Sequence, residues 1–411
     1  MRILYLNPCG QMGGAEISLL DLLTSMSTAE PDCEMHLVVG EDGPLVARVQ
    51  DLGIQVAVAP FPCALARLGD SGTHPLAVLW TGLKAIPGTM RYVAGLHKKI
   101  SAIKPDVIHT NGFKMHVLAV WARSSGTPVI WHIRDYVSSR LLMKHLLRLH
   151  ARYCACVIGI SQSVTRDIQE VCGSRLEATC LYNAVDLRRF SPDGEQADLD
   201  LLSAMPPATQ GTMRIGLIST LARWKGHAVF LRALARLTAD LQYRAYVIGG
   251  AIYQTDNSQQ NLDELRALAR RLGIADKVGF TGLVREPACA MRALDVIVHA
   301  STQPEPFGRV IAEGMACGRP VICSAAGGAK ELIADGFDAL AYTPGDEVAL
   351  ANRITQLARS PELRTRLGRA GRVTAERRFD LTRLAKEVMP IYRRIVSGDL
   401  PQPSAKLAAT R

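Results

Sequence analysis

Four short stretches of this chain carry residue types and spacings that could do chemistry. The first is PEPFGRVIAEGMACG, residues 304–318, which sets Glu305 between Pro304 and Pro306 and places a second glutamate eight positions on, at Glu313. The prolines hold Glu305 extended, so a helix can begin only near Phe307 or Gly308. Free N–H groups of Gly308, Arg309 and Val310 then lie between the two carboxylates, with Glu313 roughly 7.5 Å further along the axis. An anion at that helix start would have one carboxylate on each side, which suits a ligand with a central diphosphate and hydroxyl-rich sugars at its ends. The second stretch is STLARWKGH (219–227), where Arg223 and Lys225 stand just before a helix expected from Gly226. Two cations and helix-end amides make a pyrophosphate cradle; the plainer alternative is a solvated basic loop.

The third stretch, PVIWHIRDY (128–136), puts His132, Arg134 and Asp135 at or just beyond a strand end. His132 could serve as a base or a hydrogen-bond donor and Arg134 could pair with a phosphate, against the alternative of a structural histidine. The fourth, PCGQMGGAE (8–16), follows the first strand and opens a helix. Gly10, Gly13 and Gly14 allow close backbone approach to an anion, although the spacing is not G-x-G-x-x-G and a tight turn would read the same way.

Something must hold these loops in place. Apolar runs of strand length alternate with amphipathic helical stretches along the chain. Strands are expected at 3–7, 35–39, 54–59, 106–110, 128–133 and 156–160, and again at 213–220, 243–250, 277–282, 295–300 and 320–325. Patterns such as HAVFLRALARL (227–237) and LDELRALARRLG (262–273) read as helices between them. Strand–helix alternation of this kind gives parallel sheets with helices on both faces, an α/β architecture of two doubly wound, Rossmann-like domains facing a cleft. Ligands in such folds bind beyond the carboxyl ends of the strands, where all four stretches fall. The expected division is a first domain over 1–190, a Pro-, Gly- and acid-rich linker over 191–212, a second domain over 213–378, a C-terminal helix over 379–396 and a disordered tail over 397–411.

The bulk numbers agree. With 411 residues the chain exceeds one ordinary core, so two domains of roughly 200 residues are the natural division. No apolar run reaches the ~20 residues of a membrane-spanning helix, and Pro8 and Gly10 interrupt the N-terminus too early for a signal peptide, so a cytoplasmic protein is expected. The ten cysteines are scattered without a C-x-x-C pair, as small buried hydrophobes in a reducing compartment would be. A net charge of +10 fits an anionic small substrate or an anionic membrane surface. Nucleic acid is not expected, since aromatics make up only 5 % and no arginine–aromatic stripe is present. SSRLLMKHLLRLHARY (138–153) mixes leucines with bases, as a helix lying on a membrane would; a helix packing its leucines inward reads almost the same.

Taken together, EPFGRVIAE with the following GMACGRPVICSAAGGAKELIADG, KVGFTGLV, DVIVHAST from Asp295, WKGH, YNAVDLRRFSP (182–192) and the N-terminal GGAE resemble the retaining nucleotide-sugar glycosyltransferases of the GT-B fold, glycosyltransferase family 4 (glycosyl transferases group 1). The resemblance spans nearly the whole chain. It implies that Glu313 meets the ribose hydroxyls, that Glu305 lies beside the donor sugar, and that the amides of Phe307 to Val310 contact diphosphate or sugar. Lys225 would neutralise the diphosphate and Gly14 would approach the phosphate from the other domain. A C-terminal helix crossing back to the first domain also belongs to the family pattern. Two positions depart from it. Relatives usually carry an arginine where this chain has Thr220, and Arg223 stands as a replacement two residues before Lys225. Relatives also often carry a histidine just before the strand-end aspartate; Arg134 takes that place here, with His132 two positions earlier.

The implied reaction moves a sugar from a UDP- or GDP-sugar to an acceptor hydroxyl, with retention, in bacterial glycan, polysaccharide or glycolipid synthesis. Lys225, Arg223, Glu305 and His132 are the candidate catalytic residues. Arg134 and Asp135 are candidates for sugar or acceptor contact, and loops such as TGLVRE (281–286), Leu283 included, for the base. No metal or other cofactor is expected: Asp198-Leu-Asp200 mimics a metal-binding D-x-D but lies in the linker. The acceptor is expected to be a glycan or a lipid-linked molecule, with the protein cytoplasmic or peripheral on the inner membrane face. The competing readings are a nucleotide-sugar epimerase or hydrolase on the same fold, and a non-catalytic nucleotide-sugar-binding protein.

Overall fold

The computed structural model describes residues 1–62, 75–174, 176–250 and 259–398. Two compact units share the chain: Met1–Tyr182 joined by the segment from Leu381, and Asn183–Asp380.

The first unit is built on seven parallel strands: β1 (Arg2–Asn7), β2 (Glu34–Val39), β3 (Gln55–Val58), β4 (Val107–Asn111), β5 (Val129–Ile133), β6 (Cys156–Gly159) and β7 (Ala178–Cys180). Their order is β3-β2-β1-β4-β5-β6-β7. β1, β4 and β5 are buried at nearly every position, as continuous Ile, Leu and Val runs covered on both faces must be. The second unit has β8 (Met213–Ile218), β9 (Tyr243–Ile248), β10 (Val278–Gly282), β11 (Val296–His299), β12 (Val321–Ser324) and β13 (Leu340–Tyr342), ordered β10-β9-β8-β11-β12-β13. Strand order reverses between β1 and β4 in one sheet and between β8 and β11 in the other. Those two switch points are where open parallel sheets of this kind bind ligands.

Every strand expected from the sequence is present, with ends differing by a residue or two. β7 and β13 went unread because three residues are too few to show a period. Helix starts follow local chemistry. Ser161 accepts the Val164 N–H to open Gln162–Cys172, Asp346 accepts from Val348 and Ala349 to open Glu347–Arg359, and Ser360 with Pro361 opens the helix Pro361–Arg378.

Two boundaries differ from the sequence reading. The first unit ends at Tyr182, and the segment expected as a linker over 191–212 belongs to the second unit. Its acidic residues do structural work that composition hides. Asp198 caps the short helix Leu199–Leu202 by accepting the Leu201 N–H, while Asp200 is 3 % exposed and accepts from Tyr246 (2.7 Å), Arg244 (2.9 Å) and Arg214 (3.2 Å). Burial pushes the Asp200 carboxyl up, but Tyr246, the Ala208 N–H and Arg244 outweigh it and hold the group below its ordinary range. The D-x-D mimic is thus spent on a cap and an ion-pair anchor.

The C-terminal helix, expected over 379–396, runs from Arg383 to Ser397 and belongs to the first unit. Its Ala385 N–H donates to Ser25 on the helix Gly14–Ala29 (3.1 Å), and Tyr392 is fully buried. Phe379 and Asp380, just before it, bond to Val185 within the second unit, so the chain changes unit at 182/183 and again at 380/381. From residue 399 on, the expected tail lies outside the described residues.

Candidate active site

In the second unit, the loop leaving β8 closes in a single turn of 3-10 helix, Arg223–Lys225, followed by Gly226 at φ +75°. A Cβ at Gly226 would stand 1.8 Å from the Ala300 carbonyl oxygen, so only glycine lets this loop lie against the one after β11. That approach is fastened by Thr302, whose N–H donates to the Trp224 carbonyl at 2.7 Å. The result brings Lys225 to Glu305. Its ammonium donates to both carboxylate oxygens at 2.8 Å and lies 3.9 Å from the centre of the Trp224 ring. Glu305 is 7 % exposed; it also accepts from the Ser301 hydroxyl at 2.6 Å and stands 3.4 Å from His299 Nε2. Burial pushes the Glu305 carboxyl up, yet the Lys225 ammonium first and His299 after it prevail and hold it well below the usual carboxylate range.

The helix expected after Glu305 begins at Arg309, with Gly308 at φ +92° as its N-cap and Phe307 buried edge-on against Phe379. Glu313 accepts from Arg309 Nε at 3.2 Å, one turn back, while Arg309 also donates to the Ala184 carbonyl at 3.3 Å. Val310 follows in the first helical turn. Arg223 is not brought to this cluster: half exposed, it faces Glu264 at 3.6 Å. Leu283 sits just past β10 and is 66 % exposed, an apolar side chain left open at a strand end.

In the first unit the polar cluster is of another kind. Strand register pairs Leu6 with Thr110 and Asn111 with His132, so Asn7 and Asn111, the last residues of β1 and β4, stand level with His132, the last but one of β5, on one face of adjacent strands. All three are buried. Asn7 Nδ2 donates to the Cys9 carbonyl (2.6 Å) and lies 3.5 Å from Glu16. Arg134 donates through Nε to Asn111 Oδ1 (2.9 Å) and through a terminal nitrogen to His132 Nδ1 (3.3 Å). Behind the row, His109 Nε2 stands 3.0 Å from His132 Nδ1, and the Tyr392 hydroxyl 2.7 Å from His109 Nδ1. Burial first, and the Arg134 charge second, hold both histidines well below their ordinary pKa, while burial raises the Glu16 carboxyl.

Asp135 does not join this row; it pairs with Arg140 at 2.7 Å and accepts its neighbour's N–H. The glycines of the 8–16 loop separate. A Cβ on Gly10 would lie 2.3 Å from the Glu41 carbonyl oxygen, so the fold itself demands glycine there, whereas one on Gly14, at the start of the helix capped by Gly13, would meet nothing within 4 Å.

Sequence reasoning therefore found Lys225, Glu305, Glu313, His132 and Arg134 but missed the groups that surround them. Trp224, His299 and Ser301 were legible as neighbours of motif residues. Asn7 had a signal too, as the single polar residue closing the apolar run ILYLN, while Asn111 follows two other polar residues in VIHTN. Glu16 closes the GGAE motif and was legible in the same way, whereas His109 and above all Tyr392 had no signal, since only the fold brings them in.

Two switch-point clusters on a pair of doubly wound sheets place the chain among two-domain α/β proteins with ligand sites at their strand ends, and comparison with known proteins gives the family. The model described as Glycosyltransferase Family 4 matches residues 12–189, and that described as Glycosyl transferases group 1 matches residues 208–374. The chain belongs to this glycosyltransferase family. A D-inositol 3-phosphate glycosyltransferase of Stackebrandtia nassauensis is 33 % identical over 62 % of this chain and 60 % of its own length, so the match spans less than two thirds of that relative. D-inositol 3-phosphate glycosyltransferase 1 of Catenulispora acidiphila is 25 % identical over 97 % of this chain and 96 % of that protein. Among solved structures, HepE of Anabaena in complex with UDP is 26 % identical, covers 96 % of this chain and all of that one, and superposes with a TM-score of 0.76. The same protein has been seen with UDP-glucose. No helix among the described residues is long and apolar enough to cross a membrane.

Proposed function

We propose that this glycosyltransferase moves a sugar from a nucleoside diphosphate sugar, UDP- or GDP-linked, to an acceptor hydroxyl with retention. The observation that carries the reading is the Lys225–Glu305 pair at the β8/β11 switch point, with Glu305 buried four residues before a helix that starts at Arg309. An ammonium has three N–H bonds and two are aimed at Glu305, so the pair holds a cation in a dry position where a departing diphosphate would meet it. In this reading the acceptor oxygen bonds to the anomeric carbon as the bond from that carbon to the phosphate oxygen breaks. The acceptor's proton passes to the departing phosphate on the same face. Lys225 and the amides of Phe307, Gly308, Arg309 and Val310 receive the developing negative charge, and Arg223 adds a second cation by leaving Glu264; no metal is called for.

Glu313 would hold the ribose hydroxyls by exchanging Arg309 for them, Glu305 would hold the donor sugar while orienting Lys225, and Leu283 would cover the base. From the first unit, Gly14 would meet phosphate, and His132 and Arg134, with Asp135 further out, would contact sugar or acceptor. UDP in the Anabaena relative supports a uridine donor as the first to try. A phosphatidyl-myo-inositol mannosyltransferase of Mycobacterium leprae, 27 % identical over 71 % of this chain, supports a mannosyl donor or a lipid-borne acceptor as the next. A lipid-linked acceptor fits one further feature. The helix Leu141–His150 exposes Leu141, Leu142 and Leu149, and residues 138–153 hold Arg140, Lys144, Arg148 and Arg152 with no acid. That surface would rest on anionic lipid, placing the protein on the cytoplasmic face of the membrane.

Incubation with UDP- and GDP-sugars, with and without cell-envelope extracts, tests the reading. It predicts nucleoside diphosphate release that requires an acceptor; release without one would indicate a hydrolase, and binding without release a sensor. Co-sedimentation with phosphatidylglycerol vesicles at low salt tests the surface, and its absence there removes the membrane role.

A further inference from the structure

We infer that Asn7, Asn111 and His132 form a hydroxyl-binding row with a fixed polarity, reading acceptor, donor, donor across β1, β4 and β5. The inference deepens the proposed function, on which it rests for the identity of the ligand as a polyhydroxylated ring. Each of the three side chains keeps one buried atom without a protein partner: Asn7 Oδ1, Asn111 Nδ2 and His132 Nε2. Buried polar atoms are normally satisfied, and three at one level on neighbouring strands, at a topological switch point, call for a shared partner.

The polarity of each atom follows from partners whose own roles are unambiguous. Asn7 Nδ2 faces the Cys9 carbonyl, which can only accept, so the free atom of Asn7 is the oxygen. Arg134 Nε can only donate, so the Asn111 atom it meets is Oδ1 and the free one is the amino group. Arg134 likewise donates to His132 Nδ1, which must offer its lone pair. His109 then donates to the same nitrogen through Nε2 and accepts the Tyr392 hydroxyl on Nδ1. A neutral His132 locked in this way carries its proton on Nε2. The opposite arrangement would set an N–H of His132 against an N–H of Arg134. The longer contact of Tyr392, 3.4 Å to the Tyr5 hydroxyl, does not compete with the 2.7 Å bond to His109.

The consequence is chemical. His132 donates and does not act as a base: one nitrogen is occupied by two donors and the other already holds the proton. A row of one acceptor and two donors matches the hydroxyls of a sugar-like ring, each of which donates once and accepts once or twice, and matches a phosphate poorly because of the acceptor at Asn7. Tyr392 and His109 are positioning residues, acting on the ligand only through the His132 ring.

Three substitutions separate this from a structural role. Asn111→Asp keeps the bond from Arg134 and replaces only the free amino group by a second acceptor. His132→Gln keeps a donor near the Nε2 position, while His132→Glu offers only acceptors. The row predicts that Asn111→Asp and His132→Glu lower kcat/KM for the substrate that occupies it by about ten- to a hundredfold, with KM for the other substrate unmoved. His132→Gln, which still offers a donor, should retain at least about tenfold more activity than His132→Glu. The reverse ranking, Glu active and Gln inactive, would make His132 a base and overturn the assignment.

Long-range proton–nitrogen NMR on the full chain gives a readout that needs no turnover. A single His132 tautomer protonated on Nε2 is expected from pH 5.5 to 8, and its N–H resonance should shift on titration with methyl glucosides and mannosides. Protonation on Nδ1, or an N–H that no ring polyol moves because it meets an ordered water only, would overturn the row. Should no donor support transfer at all, the proposed function fails, and the NMR result still decides the row.

Discussion

The two switch-point clusters make an instructive pair, because the same topology carries opposite electrostatics. In the second unit Lys225 and Glu305 are both charged, and Ser301 and His299 complete the carboxylate's surroundings. In the first unit Asn7, Asn111 and His132 are neutral, and each retains an atom without a protein partner. A buried ion pair is costly unless each charge is well served, which the second unit achieves; an unmet amide or imidazole is a smaller cost that a ligand can recover. The difference assigns the tasks in the proposed reaction: charge is handled at β8 and β11, hydroxyls at β1, β4 and β5.

The sharpest way to break this comparison is to remove the charge. Lys225→Met should lower kcat/KM for transfer by about a thousandfold or more, the scale of losing a cation aimed at developing charge. The same change leaves Glu305 buried without its main partner, so thermal stability should fall by about 3–5 kcal/mol as well. Stability lost with transfer intact would make the pair structural, leaving the second cluster without its proposed task.

Next in size is Glu313. Replacing it by Gln should raise KM for the donor by about a hundredfold while changing kcat little, as expected of a carboxylate that binds hydroxyls in ground and transition state alike. A fall in kcat alone, read from initial rates over a range of donor concentrations, would move Glu313 into the chemistry.

Acid should then tell the units apart. His109, His116 and His132 of the first unit are buried neutral: burial and the Arg134 charge hold all three down, His116 to about 3. His227 of the second unit is held down to about 4, by burial and Lys225. A histidine whose folded pKa lies below its unfolded value binds fewer protons folded than unfolded. Its contribution is complete above about pH 6.5 and is lost as the pH falls towards the folded value, at up to about 1.4 kcal/mol per pH unit for each group. The Glu305 carboxyl, also held below its ordinary value, has the same sign in a lower window: its contribution is complete above the ordinary carboxylate range and is lost as the pH falls through that range towards the folded value. Between pH 6.5 and 4.5 the first unit, with three such histidines, should lose amide protection before the second. Hydrogen exchange followed by peptide mapping checks the order, and simultaneous loss would contradict it.

The smallest effects concern two glycines of one loop. Gly10→Ala should destabilise the first unit, since the added carbon meets backbone, whereas Gly14→Ala should leave the melting temperature within about 2 °C. If phosphate approaches Gly14, donor affinity should nonetheless fall about fivefold in Gly14→Ala. Donor titration on the two variants separates packing from binding.

Much of this architecture could be read before any coordinates. The strand runs and the loops after them were legible because parallel strands buried on both faces are written as uninterrupted apolar words, and the chemistry follows them directly. Lys225 and Glu305 were both visible, but their pairing was not, since it depends on Gly226 letting two loops touch. Glu305 looked like a free sugar clamp and in the fold is the partner of a lysine. Arg223 read as part of the same cradle and faces Glu264 instead. The acidic segment over 191–212 looked like a linker because composition cannot show that Asp200 is buried against two arginines and a tyrosine. Tyr392 was beyond reach altogether: it lies 260 positions from His132 and joins it only because the C-terminal helix returns to the first unit.

The central claim is that Lys225, held in place by Glu305, meets the diphosphate of a nucleotide sugar. Calorimetric titration of UDP and GDP into the intact protein and into Lys225→Met tests it without an acceptor or a known sugar. At least one nucleotide should bind the unaltered chain, with affinity falling about a hundredfold or more in the variant. Equal affinity for the two proteins would contradict the account.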